Sequence, residues 1–267
     1  MIHKIRKYKK IIVDIFIKKK RYYWKEKNNF FIDSKNIINS EFIKWALKQK
    51  YSNNLPVNIF IYEKFQTEIF LKYINKAKTF VDIGCQIGFY SLIANEYKNV
   101  KNILAIDISN ECVDATKLNF KNNFRKNKNV VVKNQAIGSD TIKYSFWAEK
   151  AISKGDTLLN IVIKNNLVLS KNDLIKIDIE GFEYTYFNTI KEFLKINKPT
   201  IFFSLHKNFI KKLSNDSINL FNILDDLLEL YQNVLYISDH TSVQYRLKYS
   251  HELPADDDNP VILCYEN

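Results

Sequence analysis

Short apolar runs and amphipathic stretches alternate along most of the chain. Phe80-Val81, Ile103-Leu104-Ala105-Ile106, Val130-Val131-Val132 and Ile201-Phe202-Phe203 are runs of strand length, rich in β-branched and aromatic residues. Between them, residues 89–97, 110–122 and 156–166 carry apolar positions at helical spacing, the last with Asp156 as its expected cap. Residues 217–231 read as an amphipathic helix, and 233–238 and 260–265 as closing strands. Ahead of the first core strand, the pattern predicts a helix over 40–50, a strand or edge segment over 56–62 and a helix over 67–73. Residues 141–148 alternate and read as an added strand. Strands that alternate with helices indicate βαβ units on a mostly parallel sheet.

Residues 174–179 depart from this pattern. Ile175, Ile177 and Ile179 fall on one face, and Lys176, Asp178 and Glu180 on the other. A central parallel strand is ordinarily apolar on both faces. Charged residues that break the local rule mark a functional site. Gly181 follows at once, from a stock of only 5 glycines in the whole chain.

Two more of those glycines, Gly84 and Gly88, sit four positions apart where the first core strand turns into a helix, in Val81-Asp82-Ile83-Gly84-Cys85-Gln86-Ile87-Gly88. Glycine there permits positive φ and close backbone approach. The position that dinucleotide binding reserves for its middle glycine holds Gln86, and no Gly-Lys-Ser/Thr phosphate loop occurs. S-adenosylmethionine (SAM) has no phosphate, and it needs a glycine loop beside its amino-acid end. Asp82 is placed to serve its ammonium. Asp107 ends the second strand 19 residues beyond Gly88, near the ~20-residue spacing of a ribose-binding carboxylate. Ser109 is available to cap the following helix, which frees Asp107. Gln135 and Ala136, after the third strand, are candidates for the adenine.

Val-Asp-Ile-Gly-Cys-Gln-Ile-Gly-Phe-Tyr-Ser at 81–91, followed by Lys-Ile-Asp-Ile-Glu-Gly-Phe-Glu at 176–183, resembles the FkbM family of SAM-dependent methyltransferases. The resemblance covers roughly residues 60–267, with Cys85-Gln86 where the family usually has Ala-Asn. It implies a class I, Rossmann-like fold: a doubly wound, seven-stranded, mostly parallel sheet. It also implies methylation of a hydroxyl on a sugar or related small metabolite, in surface-glycan or natural-product biosynthesis.

The residues agree on reaction type. No Asp/Asn-Pro-Pro-aromatic motif for base amino groups and no cysteine nucleophile stands after the fourth strand. A hydroxyl acceptor calls for a general base. Asp178, Glu180 and His206 are the candidates, His206 having the best intrinsic pKa. A divalent metal held by the same residues is the other route to an acidified hydroxyl.

Charge adds a separate feature. Of the net +12, residues 1–50 contribute +11, from 15 Lys/Arg against 4 Asp/Glu. The expected organisation is a basic, partly helical extension over 1–55 and a methyltransferase domain over 56–267. Residues 1–27 suit a solvated extension, a peripheral contact with an anionic membrane face, or a grip on RNA. The RNA use would make the protein an RNA methyltransferase, and a non-catalytic SAM-fold module is a further alternative. Three cysteines without paired or metal-type spacing ask for no oxidising compartment. The apolar run at 11–17 is too short for a span, so a cytoplasmic location is expected.

Overall fold

The computed structural model describes residues 21–24, 30–48, 55, 59–138, 141–146, 149–214, 218–238 and 241–267. Most of the basic stretch 1–27 therefore lies outside the described residues, as does the expected start of a strand at 56–58. At the N-terminal side, β1 (Arg21–Trp24), β2 (Phe31–Asp33) and β3 (Ile59–Phe60) form a small sheet in the order β2-β1-β3. Helices α1 (Ile37–Lys48) and α2 (Lys64–Ile74) complete this segment. It belongs to the core rather than standing beside it: Tyr22, Trp24, Phe30 and Ile32 are fully buried.

The main sheet follows. β4 (Thr79–Ile83), α3 (Phe89–Glu96), β5 (Asn102–Asp107), α4 (Asn110–Asn122) and β6 (Asn129–Asn134) make two βαβ units. A side sheet comes next, from β7 (Ala136–Ile137), β8 (Thr141–Phe146) and β9 (Glu149–Asp156). The chain then returns through α5 (Leu158–Lys164), β10 (Leu174–Ile177), α6 (Glu183–Asn197), β11 (Thr200–Ser204), α7 (Lys207–Ser214) and α8 (Ile218–Leu230). It closes with β12 (Asn233–Ile237), β13 (Gln244–Arg246) and β14 (Val261–Tyr265).

The order is β13-β12-β14-β11-β10-β4-β5-β6, with β14 antiparallel to both neighbours and the central strands parallel. Eight strands thus replace the seven expected. The additional one, β13, is an exposed three-residue edge, folded back onto β12 by a turn that closes with Ser238 N donating to Val243 O (3.0 Å). The alternating stretch from 141 lies in the side hairpin β8–β9, not in the main sheet. Asp156 ends β9, and Thr157 caps α5 by accepting from Asn160 N.

The chain runs outward from β4 through β5 to β6, then crosses to β10 on the other side of β4. A doubly wound sheet opens its ligand crevice at such a switch point, outside the carboxyl ends of the strands. Alternate strand residues feed two cores. Val81, Ile83, Ile175, Ile177 and Phe203 face one, and Phe80, Ile103, Leu174 and Phe202 the other. The second core carries the N-terminal aromatics. Phe89, first residue of α3, meets Trp24, Phe42, Phe60, Tyr62 and Tyr90 at ring-centroid distances of 4.8–6.1 Å. The glycine loop is thereby mounted on the segment ahead of the main sheet. Among the described residues no helix is long and apolar enough to cross a membrane.

Phe89→Ala should lower the unfolding free energy by about 3–5 kcal/mol, the usual cost of emptying a buried aromatic site. Chemical denaturation reads it; a loss below about 1 kcal/mol would show that the cluster does not anchor α3.

Candidate active site

The cleft starts from the turn after β4. Gly84, Gln86 and Gly88 all have positive φ, of 76°, 51° and 76°. At Gly84 a Cβ would lie 1.8 Å from the Asp178 carbonyl oxygen, so a side chain here would push the β4 and β10 ends apart. Gly84 N and Cys85 N both donate to Ile106 O. α4 holds the far side of the turn: Thr116 Oγ1 donates to Gln86 O and Asn119 Nδ2 to Ile87 O, each at 2.9 Å. Asn119 and Asn39 also exchange amide hydrogen bonds, which ties α1 to the same turn.

A cavity of about 860 Å³ opens at this edge. Asp82, Gly84, Gln86, Asp107, Gln135, Ala136, Asp178, Glu180 and His206 all line it. Gly88 does not. It caps α3, with Thr116 Cγ2 2.7 Å from where its Cβ would stand.

The cofactor side is built as follows. Asp82 is 1% exposed; its Oδ2 accepts from Ser91 Oγ at 2.6 Å. Its buried Oδ1 has no hydrogen-bond partner among the described residues. Burial raises its pKa, opposed by Lys176 and Ser91. An orphaned carboxylate oxygen in the cleft fits an incoming ammonium. Asp107 accepts from Gln86 N (2.8 Å) and Ser109 N (2.9 Å), and Ser109 caps α4 as expected. A carboxylate offers about four lone-pair sites, enough for backbone donors and vicinal hydroxyls together. The donor set fits SAM.

The opposite side gathers Asp178, Glu180 and His206. Asp178 N continues the ladder by donating to Ile83 O, and its Oδ2 accepts from Lys176 Nζ at 2.5 Å. Burial disfavours its charge, yet Lys176 and His206 hold the carboxyl below its ordinary range. Glu180 sits at φ 54° before Gly181, where a Cβ would lie 2.4 Å from Phe209 Cβ, so the glycine lets α7 pack against this turn. Burial raises Glu180 to about 7, with His206 opposing. His206 Nε2 lies 3.4 Å from Asp178 Oδ1 and 3.7 Å from Glu180 Oε2. Its Nδ1 is 3.0 Å from Glu183 Oε1. Burial lowers the His206 pKa, but Glu183, Asp178 and Glu180 together raise it to about 9. These carboxylates stabilise the imidazolium, so the ring holds its proton more tightly than a free imidazole does. Asp178, Glu180 and His206 together could hold a metal ion.

Three residues take roles at the site that the sequence did not assign. Lys176 is 3% exposed, beside Asp82 in the strand register and 4.9 Å from the Tyr90 ring centroid. Glu183, 0% exposed, holds the Ile179 N as well as His206. Glu63, at φ 43°, accepts from Tyr90 Oη at 2.6 Å and lines the cavity. Lys176 and Glu183 were visible as charges inside the second motif; nothing in the sequence around Glu63 marks it. Of the two other loop histidines, His240 lies outside the described residues, and exposed His251 does not line the cleft.

Residues 65–164 match the family model of ribosomal protein L11 methyltransferase (PrmA). No curated protein matches the chain. Solved structures that resemble it include an O-methyltransferase from Bacillus cereus in complex with SAH, at 14% identity over 84% of this chain and 90% of that one (TM-score 0.46). The methyltransferase FkbM from Methylobacillus flagellatus KT is 14% identical over 70% of this chain; the match spans 44% of that protein's length (TM-score 0.44). An rRNA methylase from Streptococcus thermophilus is 10% identical over 76% and 97% (TM-score 0.44). By strand order and the PrmA match, the chain carries a class I SAM-dependent methyltransferase domain.

Glu63 gives a pH test of this geometry. Burial moves its carboxyl from an ordinary 4.5 to about 7, so the folded state keeps an extra proton between those values. Stability therefore falls as pH rises from about 4.5 to about 7. In cofactor-free protein, Glu63→Gln should melt higher than wild type at pH 8, and the two should converge near pH 4.5. Equal shifts at both pH values would place Glu63 in water.

Proposed function

We propose that this chain is a SAM-dependent O-methyltransferase acting on a hydroxyl of a sugar or related small metabolite, in surface-glycan biosynthesis. The observation that carries the reading is one continuous cleft with a cofactor-type donor set at β4–β5 and an acid–histidine cluster across the switch point at β10–β11.

When bound, SAM supplies an electrophilic methyl group on a sulfonium. Asp82 Oδ1 would receive its ammonium, Asp107 its ribose hydroxyls, and Gln135 with Ala136 its adenine. Asp178 and Glu180 face the same space and give an acceptor hydroxyl carboxylates to hydrogen-bond and to take its proton. Lys176 keeps Asp178 ionised and aimed. Methyl transfer needs alignment and exclusion of water more than covalent help. A cysteine nucleophile is not part of the reading: Cys85 is buried, and burial pushes its thiol well up. Support for a sugar acceptor comes from the FkbM-like pair of motifs at 81–91 and 176–183, with Lys-Ile-Asp-Ile-Glu-Gly in the second.

Asp107→Asn should weaken SAM binding roughly tenfold or more, since an ionised acceptor is replaced by a neutral one. Calorimetry reads this; unchanged affinity removes Asp107 from the ribose site. For the acceptor, labelled methyl from SAM is offered to extracts of the native organism, then separated into glycan, lipid, RNA and small-molecule fractions. Label is expected in the glycan or small-molecule fraction, and lost with Asp178→Asn while that variant still binds SAM. Label confined to RNA would replace the sugar reading by an RNA methyltransferase.

A further inference from the structure

Two side chains in the acceptor half are each pinned from behind by a fully buried partner. Asp178 Oδ2 accepts from Lys176 Nζ at 2.5 Å, and its Oδ1 faces His206. His206 gives its Nδ1 to Glu183 Oε1 at 3.0 Å and turns Nε2 toward the carboxylates of Asp178 and Glu180. Lys176 and Glu183, the two that pin them, are 3% and 0% exposed. His206 is itself 9% exposed, and its Nε2 makes no hydrogen bond at the 3.4 and 3.7 Å that separate it from the two acids. One ligand atom from each of Asp178, Glu180 and His206 lies within 4.8 Å of the others.

We propose that Asp178, Glu180 and His206 form a divalent-cation site on the acceptor side of the cleft, with Glu183 as its positioning residue. Ligand atoms around a cation with bonds of about 2.1 Å stand roughly 3–3.5 Å apart; Nε2 lies 3.4 Å from Asp178 and 3.7 Å from Glu180, so small side-chain shifts would close the set around an ion. A histidine that donates its remote N–H to a buried carboxylate is oriented as metal-bound histidines are. Glu183 supplies that carboxylate, and by also accepting from Ile179 N (3.0 Å) it fixes the turn that carries Glu180. Two carboxylate oxygens and one imidazole nitrogen suit Mn²⁺, Fe²⁺ or Zn²⁺ better than Ca²⁺. Three protein ligands leave positions open toward the cavity for acceptor oxygens. The cation would orient and polarise the acceptor hydroxyl. This role at the acceptor rests on the O-methyltransferase reading; the cation site itself does not.

The test uses the full chain, stripped with chelator and titrated with Mn²⁺ followed by electron paramagnetic resonance. One saturable Mn²⁺ per chain is expected. Glu180→Gln and His206→Gln should each weaken it at least tenfold, and Glu183→Gln by roughly 10–100-fold, the usual effect of removing an outer partner. Spin-echo modulation from a directly bound nitrogen should appear in wild type, which keeps the test independent of whether a variant folds. No saturable binding of Mn²⁺ or Zn²⁺, or Mn²⁺ bound without nitrogen coupling, would overturn the proposal. Calorimetry with SAM on the same preparation separates the two readings. Mn²⁺ binding without SAM binding supports the cation site and removes the methyltransferase reading, and SAM binding without Mn²⁺ does the reverse.

Discussion

One buried cation organises the cleft. Lys176 lies in a strand covered on both faces, at a position where an apolar residue would serve packing best. Its ammonium stands beside Asp82 in register, bonds Asp178 and lies over the Tyr90 ring. Burial works against its charge, but Asp178, Asp82 and Glu63 raise its pKa above the ordinary value. A desolvated carboxylate without a counter-charge takes up a proton instead. Lys176 is therefore what allows several acids to converge at the carboxyl edge of the sheet, with Asp178 still ionised. Removing one partner from such a set leaves an uncompensated charge, which is why the set is tightly interdependent.

The second constraint is steric. Gly84 and Asp178, 94 residues apart in sequence, meet backbone to backbone because Gly84 has no Cβ to strike the Asp178 carbonyl. That approach brings the cofactor side and the acid–histidine side into one cavity. The floor of the loop is then carried by α4 through Thr116 and Asn119, and its helix by the aromatic cluster around Phe89. The N-terminal segment of Tyr22, Trp24, Phe30 and α1 is thus part of the support of the site, and Phe42 and Trp45 of α1 form part of its wall.

The two halves of the cleft differ in chemistry. The cofactor half presents carboxylate acceptors: Asp82 Oδ1, and Asp107, which already accepts from Gln86 N. The other half concentrates charge. Asp178, Glu180 and Glu183 surround one imidazole, and each side chain has one atom committed to the protein scaffold or to its neighbour. Such a cluster is costly to assemble for packing alone and is well placed to handle a proton or a cation beside an acceptor.

The repeating strand–helix pattern, the glycine turn and the spacing from Gly88 to Asp107 could be read directly from the chain. They depend on local geometry: side-chain period, φ at glycine, and the fixed length of a βαβ unit. The acids at 178 and 180 were also visible, as charges in a run that should be apolar. Only the assembled fold shows that Gly88 serves the helix rather than the cavity, that Asp156 yields the cap to Thr157, and that an eighth strand folds onto the edge. Only it shows that carboxylates surround His206 and raise its pKa, because they come from other elements of the chain. Glu63 needed the fold most, since an ordinary surface-type residue becomes a cleft carboxylate through neighbours that sequence order keeps far away. Local conformation follows from neighbours along the chain, whereas protonation and burial depend on which distant groups the sheet brings within a few ångströms.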